Sequence, residues 1–512
     1  MSRSAVRDLD QDPVGALNHE LHLRLAGGQR FAALLGRGDP ASGTGLTALV
    51  AHDGGVTPLG AALPAGVTHY PALTPQLPAA FWYERAIHDL VGLVPDGHPR
   101  LDPLVLPHRH DGGPLTHPGT LPHPGAPGRP DRIEPDERAL SARLHGTGVF
   151  TIPHGPVRSG VFESVEYLVE TPGEDIPNLR IRPHAKHRGI QKRFEGMTME
   201  DGVLLAERVE GIASVAHALA FAHAVETLAS AHIPFAAAMI RVLHAELERV
   251  ANHLDVLGKL TDAAGLAVAT ARFGLHKEHI LRLVGALCGS RFGRGVVVPG
   301  GVTAPPRLPE DQVTAELDRL EHAIDSDVRT LLHTSSFLDR VRTTGPLDPA
   351  LARAHGALGP IGRGSGCADD CRVTRPYDGY RQLAPPPIPV RDAGDAQARM
   401  QVRIEEIDIA FDLARHAVGR LPDCGIELGD SERLRVFVPP ARGLAVGWAE
   451  APQGEVLYLL ELAEDGLIGY CAPRSASFHN LMLFPATFVG DILTDFPFNE
   501  ASFGLSIAGV VM

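Results

Sequence analysis

Cysteine is scarce in this chain: Cys288, Cys367, Cys371, Cys424 and Cys471 are the five thiols among 512 residues. Thiols so few and so scattered cannot build a disulfide framework, and they point to a reducing compartment. Positive charge is also short. The net charge of −14 speaks against a nucleic-acid partner, which needs a basic face, and suits a basic protein subunit. Long uncharged apolar runs are missing. The least polar stretch, 211–240, holds His217, His223, Glu226, His232 and Pro234, so it predicts two buried helices and not a membrane span. The N-terminal segment has no apolar core and no cleavage site, so no secretory signal is expected. Gly362-Arg363-Gly364-Ser365-Gly366 lacks the Lys-Ser/Thr pair and the preceding strand of a phosphate loop. Residue order supports no Ser-His-Asp arrangement.

What is present is an ordinary globular composition, 44% hydrophobic and 21% charged, in a chain long enough for two or more domains and a large core. The segment from 1 to 104 alternates apolar and polar residues, as in 30–35 and 46–51, with a turn at Asp53-Gly54-Gly55. It reads as a small α+β domain with a Trp82/Tyr83 core cluster. From 105 to 147 proline, glycine and histidine dominate, and no apolar periodicity survives. This reads as a solvated linker. His108, His110, His117 and His123 offer imidazoles within it, but no cysteine and no fixed spacing supports a metal site there. Residues 148–512 read as one large, mainly helical domain. Helices are expected near 199–226, 235–260, 264–288, 308–335 and 397–420, and a small sheet over 433–475 leads into closing helices. The fold class is therefore α+β.

The stretch from Asn178 to Glu226 organises the large domain. It passes through His187-Arg188-Gly189 and then an apolar series, Leu204, Leu205, Val209, Ile212, Val215, Ala216, Leu219, Ala220 and Val225. That spacing predicts a single helix, apolar nearly all round, started by Asp201. Within it lies Glu207-Arg208-Val209-Glu210-Gly211-Ile212-Ala213-Ser214-Val215-Ala216-His217. This segment resembles E-R-V-C-G-I-C-S-x-A-H of the large subunits of membrane-bound nickel–iron hydrogenases of the formate-hydrogenlyase type. Those are relatives of the quinone-pocket subunit of respiratory complex I. Three further segments carry the likeness: 155–163, which resembles an opening hairpin with Arg158 in place of His; Glu246-Leu247-Glu248-Arg249-Val250-Ala251-Asn252-His253-Leu254; and 473–481. Phe81 to Leu93, with Gly97-His98-Pro99, resembles the small complex I subunit that docks beside the quinone-pocket subunit, with Ala86 and Val91 departing from its pattern.

The resemblance implies four cysteine ligands that are missing here. Their positions hold Glu210, Ala213, Ser506 and Gly509. Nickel and iron in that geometry need soft, anionic thiolates, so no metal centre is expected. The glutamate that the resemblance puts on a proton route is Gln191, and the arginine over the metal is Gln453. An amide cannot relay a proton as a carboxylate does. The two quinone-facing residues of the complex I branch are also replaced, by Arg158 and Met199. Gln191, Met199 and Gln453 are thus degenerate positions of a former site. His187 and Arg188 fall where the family faces the proximal iron–sulfur cluster of a partner. There Arg188 either tunes that cluster and holds the interface, or pairs with a buried carboxylate such as Glu207.

His244 and Glu248, one helical turn apart, read either as metal ligands or as a hydrogen-bonded core pair. Cys367 and Cys371 lack the further ligands of a zinc site. Cys471 reads as an inward strand residue. The expected role is a large subunit without hydrogenase activity in a hydrogenase-like or complex-I-like membrane redox assembly. It would dock an iron–sulfur small subunit and work with integral membrane subunits, on the inner face of the plasma membrane. The alternatives are a quinone-reducing subunit or a structural subunit with no redox role. No cofactor is expected on this chain; an iron–sulfur cluster is expected in the partner, and quinone is a candidate ligand.

Overall fold

Helices and small antiparallel sheets alternate along the chain. The computed structural model describes residues 12–106, 144, 146–158, 163–422 and 434–512. The linker histidines, Cys424, and Ser159 and Gly160 of the opening hairpin lie outside the described residues. The chain divides into two units: residues 1–188 with 354–356 and 511, and residues 189–353 with 357–510 and 512.

In the first unit, α1 (Pro13–Ala26) starts where the Asp12 carboxylate accepts the Gly15 N–H, a side-chain cap with proline in the first turn. Three strands follow as an antiparallel meander: β1 (Arg30–Asp39), β2 (Gly43–His52) and β3 (Gly55–Leu63). The 30–35 and 46–51 patches fall inside β1 and β2, and Asp53-Gly54 makes the β2–β3 turn. A short parallel pair, β4 (His69–Pro71) and β5 (Val94–Asp96), flanks α2 (Phe81–Val91). Trp82 and Tyr83 are buried in α2. Glu84, fully buried beside them, accepts the Leu73 and Thr74 N–H groups and the Thr74 hydroxyl, at 2.8, 3.0 and 2.6 Å. A second antiparallel sheet runs β6 (Phe150–His154), β7 (Glu166–Thr171), β8 (Asn178–Arg182).

In the second unit the expected single helix is two. After α3 (Ile190–Phe194), α4 (Met199–Ala206) and α5 (Ser214–Ala229) are separated by 207–213. The start of α4 is capped by the Thr198 hydroxyl, which accepts the Asp201 N–H at 3.1 Å, not by Asp201 itself. The break has a chemical cause. Glu207 and Glu210 are buried carboxylates that turn to partners elsewhere in the unit, and Gly211 adds no helix propensity. Leu204 falls on the outer face of α4 and is exposed.

The longest helix, α6 (Phe235–Ala263), forms the middle of this unit. Leu243, Leu247, Val250, Leu254 and Leu257 recur at three- and four-residue steps and are buried against α7 (Ala267–Cys288), α8 (Glu310–Leu332) and a later helix. The chain continues through β9 (Val297–Val298), β10 (Gly301–Val302), α9 (Ser335–Val341), α10 (Gly359–Arg363), α11 (Cys371–Thr374) and α12 (Ala396–Gly419), which packs on α6. A three-stranded antiparallel sheet closes it: β11 (Gly443–Ala451), β12 (Gly454–Leu462) and β13 (Ile468–Arg474). Three short helices end the chain: α13 (Ala476–Leu481), α14 (Phe496–Phe503) and α15 (Ile507–Val510). Helix α5 lies on this sheet so closely that a Cβ on Gly447 would stand 2.1 Å from the Ala220 carbonyl oxygen, which explains the glycine facing an alanine-rich helix.

The polar face of α6 is buried too. Arg249 meets Glu246 at 3.0 Å, and Arg372 bridges Glu246 and Asp370 at 3.0 and 2.7 Å. Arg363 bridges Glu406 and Glu450 at 2.8 and 3.0 Å, and Glu406 takes the His253 ring at 2.8 Å. No helix among the described residues is long and apolar enough to cross a membrane.

Candidate functional site

The gap between α4 and α5 meets the C-terminal helices. Glu210 sits in the gap, Ala213 at the N-cap of α5, Ser506 just before α15 and Gly509 within it. All four are buried. The Glu210 carboxylate accepts the Ser477 hydroxyl at 2.6 Å and meets His217 Nε2 at 3.1 Å. His217 Nδ1 lies 2.9 Å from the Tyr458 hydroxyl. Ser477 Oγ in turn accepts the Ser506 N–H at 3.2 Å, and the Ser475 hydroxyl donates to the Gly509 carbonyl at 2.5 Å. A Cβ on Gly509 would stand 2.7 Å from the Glu210 carboxylate carbon. Ala213 donates its N–H to the Glu210 carbonyl at 3.1 Å.

The four positions at which the resemblance would put metal ligands thus lie near one another. The donor set does not fit a nickel–iron centre. It offers no thiolate, and its one carboxylate is already held by a serine and a histidine and fills the space beside Gly509.

Gln453 occupies the turn between β11 and β12. The turn is anchored on both sides. Glu450 pairs with Arg363 and accepts the Cys371 N–H at 3.1 Å, while Glu455 meets Arg474 at 2.5 Å and Arg375 at 2.9 Å. Burial raises the Glu450 carboxyl above its ordinary range. Asn480, on the same helix as Ser477, donates to the Gln453 carbonyl at 3.4 Å. The Gln453 side chain is 1% exposed, and neither atom of its amide has a hydrogen-bond partner among the described residues. Such an orphaned group costs about 1–3 kcal/mol.

Gln191 lies in α3 and Met199 opens α4, both half-buried. Neither shares a hydrogen bond with the Glu210 cluster. His187 and Arg188 belong to the first unit, half-buried and exposed respectively, in the loop that follows β8. Glu207 is held by Arg208 at 3.3 Å and by the Gly295 N–H at 2.5 Å.

The expected pairing of His244 with Glu248 does not form. Ala213 has no side chain with which to cap α5, and Glu248 reaches across to do so. It accepts the Val215 and Ala216 N–H groups at 2.7 and 3.0 Å. Burial nevertheless pushes its carboxyl up to about 8. Burial also lowers the His244 imidazole to about 4, and its Nδ1 has no partner among the described residues. Cys471 is buried in β13, as its pattern predicts. Ser477, Tyr458 and Asn480 were not legible as site residues. Their only signal is a buried acid at 210 that must find donors somewhere.

Comparison with known proteins gives a consistent result. The family described as respiratory-chain NADH dehydrogenase, 49 Kd subunit, matches residues 265–510, and the 30 Kd subunit family matches residues 56–121. The chain is 28% identical over 446 residues to formate hydrogenlyase subunit 5 of Escherichia coli, covering 85% of this chain and 75% of that protein. It is 31% identical over 336 residues to an NADH-quinone oxidoreductase subunit of Opitutus terrae, covering 60% of this chain and 78% of that one. In fold it is similar to a chain from an archaeal membrane-bound sulfane sulfur reductase complex. The TM-score is 0.63 at 23% identity, over 71% of this chain and 99% of that chain.

Proposed function

We propose, on the premise that this chain belongs to the hydrogenase-like, complex-I-like large-subunit family that includes the 49 kDa subunit of respiratory-chain NADH dehydrogenase, that it acts as a large subunit without hydrogenase chemistry. In this reading it docks an iron–sulfur small subunit and couples electron transfer there to a membrane arm. The 1–104 segment is a small-subunit-like domain fused through the 105–147 linker to the large-subunit-like domain over 148–512. The single observation that carries the reading is the converged site. The four positions at which the resemblance would put thiolates lie near one another, and Glu210 is bonded there to Ser477 and His217 beside Gly509.

The His187-Arg188 loop is the proposed face toward the partner's cluster. A permanently charged, exposed guanidinium there raises a nearby cluster's potential. The proposed location is the inner face of the plasma membrane, reached through partner subunits.

Anaerobic purification of the complex, with elemental analysis and EPR, tests this. Cluster signals and iron without nickel, together with co-purifying membrane subunits, are the expected outcome. Stoichiometric nickel, or a stable isolated chain with no partner, overturns it.

One observation favours a second reading, reduction of a quinone beside this site: the orphaned amide of Gln453 leaves its two N–H donors and its carbonyl acceptor unused among the described residues. Acceptor-dependent oxidation of the partner cluster that is abolished by bulky substitution at Gln453, Gln191 or Met199 would establish it. Unaltered turnover would sink it.

A further inference from the structure

Trp448, on β11, is one of two tryptophans in the chain, and other rings queue behind it. The His223 ring of α5 stands edge-on to it, with ring centroids 4.3 Å apart. Tyr377 stacks beyond His223 at 6.2 Å. Tyr380 follows at 5.0 Å, on a short 3-10 turn, Asp378–Arg381. The four rings form one file that runs from β11 to α6. Trp448 and His223 are each 8% exposed, and Tyr377 is fully buried. Packed ring atoms, not a void, separate the indole from the two phenols.

The ends of the file differ in what holds their protons. Trp448 donates its Nε1–H to the Arg375 carbonyl oxygen at 2.8 Å, a base too weak to take the proton. Tyr380 donates its hydroxyl to Glu246 on α6 at 2.5 Å, a length typical of a bond to an ionised acceptor. Arg249 and Arg372, each 3.0 Å from Glu246, hold that carboxylate in place. Burial raises both phenols well above their ordinary range, so each carries its proton at neutral pH.

We propose that this file carries one-electron oxidation inward from Trp448 to Tyr380, which rests as a neutral tyrosyl radical with its former proton on Glu246. The oxidant is an outer-sphere one-electron acceptor that approaches the Trp448 edge. It takes one electron from the indole and is itself reduced by one. Tyr380 then returns an electron to the indole by way of Tyr377. The Tyr380 O–H bond breaks as an O–H bond forms on Glu246. One electron has left the protein and no proton has. An oxidised phenol is a far stronger acid than a carboxylic acid, which drives the transfer. The indole has only a carbonyl beside its N–H, so Trp448 is the relay and Tyr380 the sink. The proposal goes beyond the subunit role above and does not depend on it, because none of the four rings belongs to the Glu210 cluster.

Flash photolysis of the full chain tests it, with a tris(bipyridine)ruthenium(II) sensitiser and an irreversible electron acceptor to generate ruthenium(III) as the oxidant. An indole-radical absorption should decay as a tyrosyl absorption rises, more slowly after exchange into D2O because an O–H bond breaks. Freeze-quenched samples should show a tyrosyl signal in EPR. Tyr380→Phe should abolish the tyrosyl rise and prolong the indole radical. Trp448→Phe should abolish the rise as well. Tyr458→Phe should leave it intact, although the Tyr458 hydroxyl also meets a base, His217, at 2.9 Å. Folding of each variant is checked by circular dichroism, and if Tyr380→Phe or Trp448→Phe does not fold, the other variants and the isotope effect in the unchanged protein decide. A tyrosyl rise that never occurs, that shows no isotope effect, that survives in folded Tyr380→Phe or Trp448→Phe, or that vanishes in folded Tyr458→Phe overturns the proposal.

Discussion

Glu248 Oε2 accepts the backbone N–H of Val215 at 2.7 Å, so a carboxylate on α6 caps a helix 33 residues earlier in the chain. The cap is missing from α5 itself because Ala213 stands at its N-cap. Two effects compete at Glu248. The helix N-terminus favours the charged form, and complete burial disfavours it. Burial wins, and the folded carboxyl titrates at about 8 against an ordinary 4.5. Between those values the unfolded chain is deprotonated while the folded one keeps its proton, so stability falls as pH rises, by about 1.4 kcal/mol per unit at most. His244 works the other way below its ordinary 6.5. Its folded value of about 4 costs stability as pH drops. The two slopes oppose each other from 4.5 to 6.5, and of the two only Glu248 contributes from 6.5 to 8. Glu248→Gln should remove the Glu248 share of that upper slope, making it shallower than in the unchanged protein, in urea denaturation measured at about pH 6.5 and about pH 8. An unchanged slope would show that Glu248 does not titrate there.

Glu210 and Gly509 are coupled by space. Gly509→Ala puts a methyl 2.7 Å from the Glu210 carboxylate carbon, so the single variant should lose about 1–3 kcal/mol. Glu210→Ala should lose about 2–4 kcal/mol, since it empties the site and leaves Ser477 and His217 without their acceptor. The double variant should recover most of the Gly509→Ala cost. Additive losses in a double-mutant cycle would mean that the carboxylate can swing away freely.

Much of the frame was legible because its signals are local. The 3.6-residue periodicity of α6 and the strand alternation of β1 and β2 both lie within a few turns of chain. The break between α4 and α5 was hidden by the same periodicity. Val209 and Ile212 keep helical spacing, yet Glu207 and Glu210 are pulled to Gly295 and Ser477, partners 88 and 267 residues away. No local pattern encodes such distances. The convergence of Glu210, Ala213, Ser506 and Gly509 was legible only through resemblance. The identity of the donors around Glu210 was not, because Ser477, His217 and Tyr458 are ordinary core residues by composition.

Gln453 makes the orphaned amide measurable. Gln453→Leu replaces it with an apolar side chain of similar size, so stability should stay level or rise by about 1 kcal/mol, read from the denaturation midpoint. A loss above about 1 kcal/mol would reveal a partner for the amide.

The ionic lattice around α6 should behave in the opposite way, because each of its members is satisfied by others. Glu246 meets both Arg249 and Arg372, and takes the Tyr380 hydroxyl at 2.5 Å. Glu246→Gln keeps the volume but removes the charge from between two fully buried guanidiniums. Those cations then face each other with only Asp370, Glu406 and Glu450 to offset them. Desolvation that was balanced becomes unbalanced, and a loss of about 3–5 kcal/mol is expected. Replacing the charged residues together by apolar ones of similar volume need not cost as much, because no orphaned charge would remain. The contrast identifies the cause. If Glu246→Gln costs under about 1 kcal/mol in chemical denaturation, water reaches the lattice and its charges are screened rather than desolvated.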